Sequence, residues 1–413
     1  MKHLLPRVPQ YFKTNLHTHS TISDGRQTPQ EVKEIYKSKG YQVLCITDHN
    51  IIVNHSQMNE PDFLMLTGME LNYNHADYRP KFDGRTYHFN LIAKRPDNLW
   101  TPWNVRRTNP EALEYNKLME CEDMDIRHDV DATNAMIAKA NEKGFLVMYN
   151  HPNWSCHSYP DYAPLKGLWG MELRNSECIF LGNNDNNAWV YRELLNLGNK
   201  IFPVGTDDMH HPEALGRSWI MVGAEKLEYG AVIDALEKGD FYMSCGPEIY
   251  DLSVEGDKLK ITCTDARSIM METHGRCGSF VEAEGENWLK EATFDLADFF
   301  KKAEGDETCC IILTVTAPDG TWLTQSEDGS RLYIHLFSYP FRTLTMDNLA
   351  DKIDYAQFLH DGSEILYQKE TVPVKLEAGS QGYGENADAA KIRFTLPVVK
   401  PNQCIPVIEV FLK

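Results

Sequence analysis

Histidines and carboxylates recur in the first 250 residues directly after short apolar runs, where a chain leaves a core and enters a loop. The first group is Asn15-Leu16-His17-Thr18-His19, followed by Ser23-Asp24-Gly25. Two histidines one residue apart on an extended segment point to the same side, which suits two nitrogen donors on one metal ion. A plain surface strand can carry the same pair, so the neighbours decide. They are Asp48-His49-Asn50 after Val43 to Thr47, Glu70 after Gly68-Met69, and His88 in Tyr87-His88-Phe89-Asn90. His151 follows Tyr149-Asn150, and Asp207-Asp208-Met209-His210 follows Gly205-Thr206. Each alone has an ordinary explanation, such as a buried histidine satisfied by backbone or a strand-end aspartate capping a helix. Six separate strand ends share an explanation only if they meet in one place. Multi-metal centres need that convergence of neutral imidazoles and charge-balancing carboxylates from different elements.

The elements that would position these residues read as strands alternating with helices up to about residue 245. Strand expectations are Thr14 to Leu16, Val43 to Thr47, Phe63 to Met69, Thr86 to Ala93, Phe145 to Tyr149, Leu168 to Leu173, Ile201 to Gly205 and Trp219 to Val222. Thr28, Pro29 and Glu31 supply a cap, a first-position proline and a capping-box acid for a helix closed by Gly40; Gly144, Gly198 and Gly239 close three later helices. In parallel α/β barrels the C-terminal strand ends face one mouth, which brings residues distant in sequence together. After Gly246-Pro247 the pattern turns β-rich, with Asp-Gly turns and few capped helices, although Asn287 to Lys302 and Met346 to Asp361 could each carry one. The expected organisation is an α/β domain at 1–249 and an all-β, sandwich-like domain of unassigned role at 250–413.

The ordered set His-x-His, Ser-Asp-Gly, Thr-Asp-His, strand-end Glu, two single His and Asp-x-His resembles the PHP (polymerase and histidinol phosphatase) family of metal-dependent phosphoesterases over roughly residues 13 to 250. Tyr242 to Glu248 is similar to the junction in members with a C-terminal β domain. The resemblance implies a distorted (βα)7 barrel with a trinuclear metal centre at its mouth. One ion would be held by His17, His19, Glu70 and Asp208, with Glu70 bridging to a second held by His88 and His151. Asp24, His49 and His210 would hold the third. The family's Asp-x-His spacing selects Asp208 over Asp207, which could instead hydrogen-bond a ligand. Six histidines and three carboxylates suit Mn, Fe or Zn better than an all-oxygen Ca or Mg cage. Three divalent ions against three carboxylates leave about three positive charges to hold a phosphate ester, polarise its oxygens and acidify a water. No protein nucleophile is needed for this, and none is evident.

For substrate contacts the expectation is Arg217 and Arg174 as phosphate forks, with exposed salt bridges as the alternative, and His75 and Arg85 from one inserted loop. The insertions at 73–85 and 94–128, the second carrying Trp100, Trp103, Arg106 and Arg107, follow mouth-facing strands, and one of them is expected to act as a lid. Asp48 could orient an imidazole or cap a helix.

The 413 residues are 42% hydrophobic and 24% charged, enough for sizeable cores and outside the disordered range. A formal charge of −19 with no basic block disfavours nucleic acid as a partner. Ten irregularly spaced cysteines with no Cys-x-x-Cys, and prolines at 6 and 9 where a signal peptide would be apolar, fit reduced thiols and a cytoplasmic location. The expected activity is hydrolysis of a small phosphomonoester or phosphodiester, with no membrane partner and no expectation for oligomeric state. The alternatives are a nuclease acting on nucleic-acid ends, hydrolysis of a non-phosphate bond, and a noncatalytic metal-binding scaffold.

Overall fold

The computed structural model describes all residues except 75–83, 104–109, 184–186, 274–277, 285–286, 304–308, 318–320, 327, 337–338, 340–342, 347–348, 350, 371–390, 402 and 404–405. The chain forms two compact units, Met1–Val315 and Thr316–Lys413.

The first unit is built on a nine-stranded sheet of β1 (Tyr11–Asn15), β2 (Val43–Ile46), β3 (Leu64–Asn74), β4 (Thr86–Ala93), β5 (Phe145–Tyr149), β6 (Gly170–Asn175), β7 (Phe202–Thr206), β8 (Trp219–Gly223) and β9 (Phe241–Ser244). Its spatial order is β7-β6-β5-β4-β3-β2-β1-β8-β9. β1, β2 and β3 pair in parallel, as do β5, β6 and β7. β4 runs antiparallel to both β3 and β5. β8 runs antiparallel to β1 and β9. The sheet curls into a nearly closed, barrel-like form, so the all-parallel seven-strand expectation holds only in outline. β4 and β8 are reversed, and Phe241–Ser244, which overlaps the Tyr242 to Glu248 segment read from sequence as a junction, is a ninth strand.

The seam between the sheet ends is tight at Gly205 on β7. A Cβ there would lie 2.2 Å from Ser218 Oγ, 3.0 Å from Met243 Cγ and 3.2 Å from the Trp219 amide. Only hydrogen at this position lets β7 lie against β8 and β9. Strands such as β4 and β5 are buried along their whole length, which explains their near-continuous apolar runs.

Helices α1 (Pro29–Ser38), α2 (Val130–Glu142), α3 (Ala188–Asn196) and α4 (Tyr229–Lys238) begin and end close to the expected signals. Thr28 and Glu31 form the reciprocal capping box, and Gly239 ends α4 in the left-handed conformation. Among the described residues no helix is long and apolar enough to cross a membrane.

The β-rich half departs from the single sandwich expected at 250–413. A four-stranded sheet (Lys2–His3, Ile249–Glu255, Lys258–Ala266, Leu289–Asp295) and a three-stranded one (Gly278–Glu282, Ser268–Thr273, Ile311–Thr316) share a core of Leu259, Ile261, Ile269, Met271 and Phe294. The contact boundary at 315/316 leaves this core in the first unit. The N-terminal Lys2–His3 strand pairs with Val254 and Ser253, which ties these sheets to the chain's start. The second unit packs a four-stranded sheet (Thr321–Gln325, Arg331–Leu336, Val407–Leu412, Ile353–Phe358) and a three-stranded one (Thr343–Met346, Lys391–Thr395, Leu366–Glu370) around Ile334, Phe358, Phe394 and Ile408. Within the Met346 to Asp361 stretch, where a helix was an option, Ile353–Phe358 is a strand whose Ile353, Ala356 and Phe358 enter that core.

Gly205→Ala should lower the thermal unfolding midpoint, corresponding to about 1–3 kcal/mol of overpacking. Gly230→Ala is its control: it sits in α4 with nothing within 4 Å of an added Cβ. That change should be neutral or stabilising by about 0.5–1 kcal/mol.

Candidate metal centre

Every one of the nine expected donors lies at one end of the barrel-like sheet. His17 and His19 follow β1, His49 follows β2, Glu70 lies within β3, His151 follows β5, and Asp208 and His210 follow β7. His88 arrives differently: β4 is reversed, so its third residue, not its last, faces this end. Three overlapping groups have donor atoms within 4.8 Å of one another: His17, His19, Glu70 and Asp208; His49, Glu70 and His88; and His19, Asp24, His49 and His210.

The spacing inside these groups is that of ligands sharing a centre. His17 Nε2 and His19 Nε2 are 3.2 Å apart and lie 3.0 and 2.9 Å from Asp208 Oδ1. Glu70 Oε2 is 3.0 Å from His49 Nδ1 and 3.3 Å from His19 Nε2, while Glu70 Oε1 is 2.9 Å from His88 Nδ1 and 3.3 Å from His151 Nε2. Asp24 lies 3.3 Å from His210 Nε2 and 3.5 Å from His49 Nε2. Despite these short distances, Glu70 Oε2, Asp208 Oδ1 and His49 Nδ1 are buried without an aligned hydrogen bond. Buried polar atoms are seldom left so, and three orphans converging on one cavity fit a cation as the missing partner.

The outward-facing atoms, in contrast, are well held. Glu172, fully buried, accepts from His17 Nδ1 (2.5 Å), the His151 amide (2.9 Å), Thr206 Oγ1 (2.7 Å) and Asn175 Nδ2 (3.1 Å). His151 Nδ1 faces Ser155 Oγ at 3.2 Å, and His210 Nδ1 donates to the Asp208 carbonyl at 2.9 Å. These contacts turn Nε2 of three rings inward. Asn150 donates to Glu70 Oε1 and Asn175 to Asp208 Oδ2, at 2.8 and 2.9 Å.

Asp48 gathers the amides and hydroxyls of Ser20 and Ser23 and so shapes the loop that carries Asp24, and the Ser23 hydroxyl it holds faces His19 Nδ1 at 3.4 Å. Gly25 completes that loop, since a Cβ there would lie 2.5 Å from the His19 carbonyl carbon. Asp207 turns away from the cluster to accept from Asn15, Tyr41 and the amides of Gly216 and Arg217, and burial pushes its carboxyl up to about 6. The position facing the donors is Asp208.

Burial disfavours charge on every group in the cluster, yet mutual attraction overrides it for most. The carboxyls of Glu70 and Asp208 are driven well below the ordinary range by surrounding imidazoles. His17 is raised by Asp208, Glu70 and Glu172 against its burial; His19 rises to about 10 and His151 to about 9 for like reasons. For His88 burial wins and lowers it to about 4.

A cavity of about 360 Å³ opens over the donors. Its described lining adds residues absent from the sequence expectation, namely Arg26, Trp154, Glu177, Cys178, Leu181 and His211. Buried Glu177 holds His211 Nδ1 and accepts from the amides of His210 and His211. The sequence offered a faint sign of Glu172, a carboxylate inside the apolar run Met171 to Leu173, and of His211, which doubles the final motif.

Arg174 and Arg217 are not among the described lining residues, and Arg85 pairs with Asp161 at 3.3 Å. His75 lies outside the described residues, as does most of its loop and the pair Arg106 and Arg107. Trp100 and Trp103 of the second insertion pack against the main core rather than forming part of the described cavity wall. A larger cavity of about 650 Å³, lined by Trp189, Arg192, Met270 and Phe280, holds none of the nine donors.

No family profile matches the sequence, and no curated protein matches it. Its neighbours among solved structures include two proteins described as metal-dependent phosphoesterases, one of them as a predicted PHP-like one. A two-domain protein from Bacteroides vulgatus ATCC 8482, described as containing a predicted PHP-like metal-dependent phosphoesterase, shares 14% identity with a TM-score of 0.36, covering 82% of this chain and 94% of that one. A protein from Bifidobacterium adolescentis ATCC 15703, provisionally named a metal-dependent phosphoesterase, shares 16% identity with a TM-score of 0.31, covering 50% and 90%. An amidohydrolase from Chromobacterium violaceum with bound sulfate shares 14% identity with a TM-score of 0.30, covering 48% and 87%. Likenesses this distant place no residue, and the donor constellation stands on its own geometry.

Two measurements probe that geometry. Glu172→Gln should weaken divalent-metal affinity about ten- to hundredfold while the fold persists, because His17 loses its charged anchor; unchanged affinity by titration would refute the support role. Because His17, His19 and His151 hold protons at pH 7 in the metal-free cluster, metal loading should release up to three protons. Affinity should therefore climb with pH through about 9 to 10, where His151 and His19 give up their protons. Calorimetry in buffers of different ionisation enthalpy reads the number, and zero release at pH 7 would contradict the assignment.

Proposed function

We propose that this chain is a metal-dependent phosphoesterase that hydrolyses a small phosphate ester at a centre of three divalent ions, with Mn, Fe or Zn as candidates. The observation that carries the reading is the set of buried, unaligned atoms Glu70 Oε2, Asp208 Oδ1 and His49 Nδ1 beneath a cavity of small-molecule size. His17, His19, Glu70 and Asp208 would hold one ion, Glu70 with His88 and His151 a second, and Asp24, His49 and His210 a third. His49 also lies against Glu70 and His88, so its ring stands between the second and third positions. Divalent ions bound there would supply Lewis acidity toward phosphoryl oxygens and a water acidified to near-neutral pKa.

The chain's own groups do the rest. Glu172, Ser155 and the Asp208 carbonyl fix which ring nitrogen faces inward, so the donors need no rearrangement on binding. Asn175 holds Asp208 Oδ2 and leaves Oδ1 toward His17 and His19, while Asn150 steadies Glu70 Oε1, the oxygen that faces His88 and His151. Arg26 and His211 line the space a phosphate ester would occupy and, besides the metal donors, are side chains there able to donate hydrogen bonds to it.

His88→Ala and Asp208→Asn should each reduce bound metal and lower turnover of a phosphomonoester by about 10²-fold or more, with the circular dichroism spectrum retained. Stoichiometric metal in the wild-type protein with no turnover on a broad panel of phosphate esters would overturn the proposal.

A further inference from the structure

The cavity over the donor cluster has an apolar side that phosphate chemistry does not require. Trp154, Cys178 and Leu181 line it together with the donors, and two of these are unusually open for large apolar residues, Trp154 at 40% and Leu181 at 55% exposure. Exposed apolar surface continuous with a ligand cavity marks a place where a ligand's own apolar part is received.

Trp154 is also held still. Its indole meets the His88 ring at 5.4 Å and 67° and the His151 ring at 4.9 Å and 79°, two near-perpendicular contacts that fix its plane. The loop beneath it is pinned on both sides: the Asn153 amide donates to Asn187 Oδ1 at 3.1 Å, and the Ser155 amide to the His151 carbonyl at 3.0 Å. A rigid indole, partly open and directly beside two donor imidazoles, is a preformed stacking surface that loses little entropy when a flat ring settles on it.

We infer that the substrate is a phosphate ester whose alcohol part carries a flat aromatic ring, received on Trp154 while the phosphate faces the donor cluster. This rests on the phosphoesterase reading and narrows it to a substrate class. Leu181 and Cys178 extend the apolar side, and Arg26 and His211 supply its polar counterpart. A substrate with a wholly polar alcohol would leave the apolar wall wet and unused.

The test compares two ligands of equal charge and similar size, benzylphosphonate and cyclohexylmethylphosphonate, by calorimetry on the manganese-loaded full chain. The corresponding phosphate monoesters, whose leaving alcohols have similar basicity, serve for turnover. Wild-type protein should prefer the flat ring by about three- to tenfold, the range expected of one aromatic stacking contact. Trp154→Ala should abolish that preference, and Trp154→Phe should restore most of it, with metal content unchanged in both variants. Equal affinity for the two phosphonates in the wild type would overturn the inference. So would a Trp154→Ala protein that loses both ligands equally or loses its metal, since the indole would then be a prop for His88 and His151. If neither ester is turned over but the phosphonate preference and its Trp154 dependence appear, the hydrolytic reading fails and the aromatic subsite stands. Turnover of both esters without preference gives the reverse.

Discussion

Two carboxylates removed from water set the terms for everything around them. Glu70 and Asp208 are 1% and 5% exposed, and ions so placed cost several kcal/mol each unless paired. Without metal, protons on neighbouring imidazoles do the pairing. That arrangement carries its own repulsion, because the rings crowd one another: His19 lies 4.2 Å from His210 and 4.5 Å from His49, centroid to centroid. Cations at the centre would relieve both problems, neutralising the carboxylates while letting the rings give up their protons. The cluster is therefore a poor structural core and a good coordination sphere, and the orphaned atoms are the residue of that difference.

A cluster that repels itself keeps its shape only if the backbone is over-determined. Asn50, His151 and Asp208, all beside donors or donors themselves, sit at positive φ, a conformation non-glycine residues adopt at a cost of order 1–3 kcal/mol. Each is clamped. The His151 amide donates to Glu172, the Asp208 amide to the His17 carbonyl at 2.8 Å, and the Asn50 amide to the Glu70 carbonyl at 2.7 Å. The turns redirect the chain within a residue or two of the strand ends, which lets β5 and β7 deliver donors inward before the loops leave. Strand pairing, strained turns and buried carboxylates thus form one mechanical unit.

That unit explains what the sequence could and could not reveal. Strand ends that stop on His or Asp were legible because a buried strand admits little else than apolar residues, so a polar residue at its exit stands out. Thr86 to Ala93 and Phe145 to Tyr149 were located to the residue for the same reason. Strand direction left no local trace: His88 was placed at the right end of the sheet although β4 runs backwards, since position in an apolar run does not encode polarity. Glu172 was hidden because a carboxylate that anchors an imidazole 155 residues away and a backbone amide 21 residues away looks, in one dimension, like a solitary acid in a strand. Arg174 and Arg217 sit beside motifs, a position that invites a phosphate reading which sequence does not settle, and neither is among the described lining residues. The β-rich half was read as one domain because alternation reports a two-faced strand but not which core receives it.

The charge distribution ties these strands of argument together. A chain with a formal charge of −19 would repel a phosphate ester at long range, and its sequence carries no Lys/Arg block to offset that. Attraction has to be short-ranged and local, which is what a dense cluster of cations beneath a small cavity provides and what a string of surface lysines does not. On the proposed reading, the contrast between that cluster and the rest of the chain would favour one small anionic group over a polyanion, whose remaining phosphates would meet a chain of net negative charge. Selectivity for a discrete phosphate ester would then follow from that contrast rather than from any single residue, with the apolar wall at Trp154 acting on what it admits.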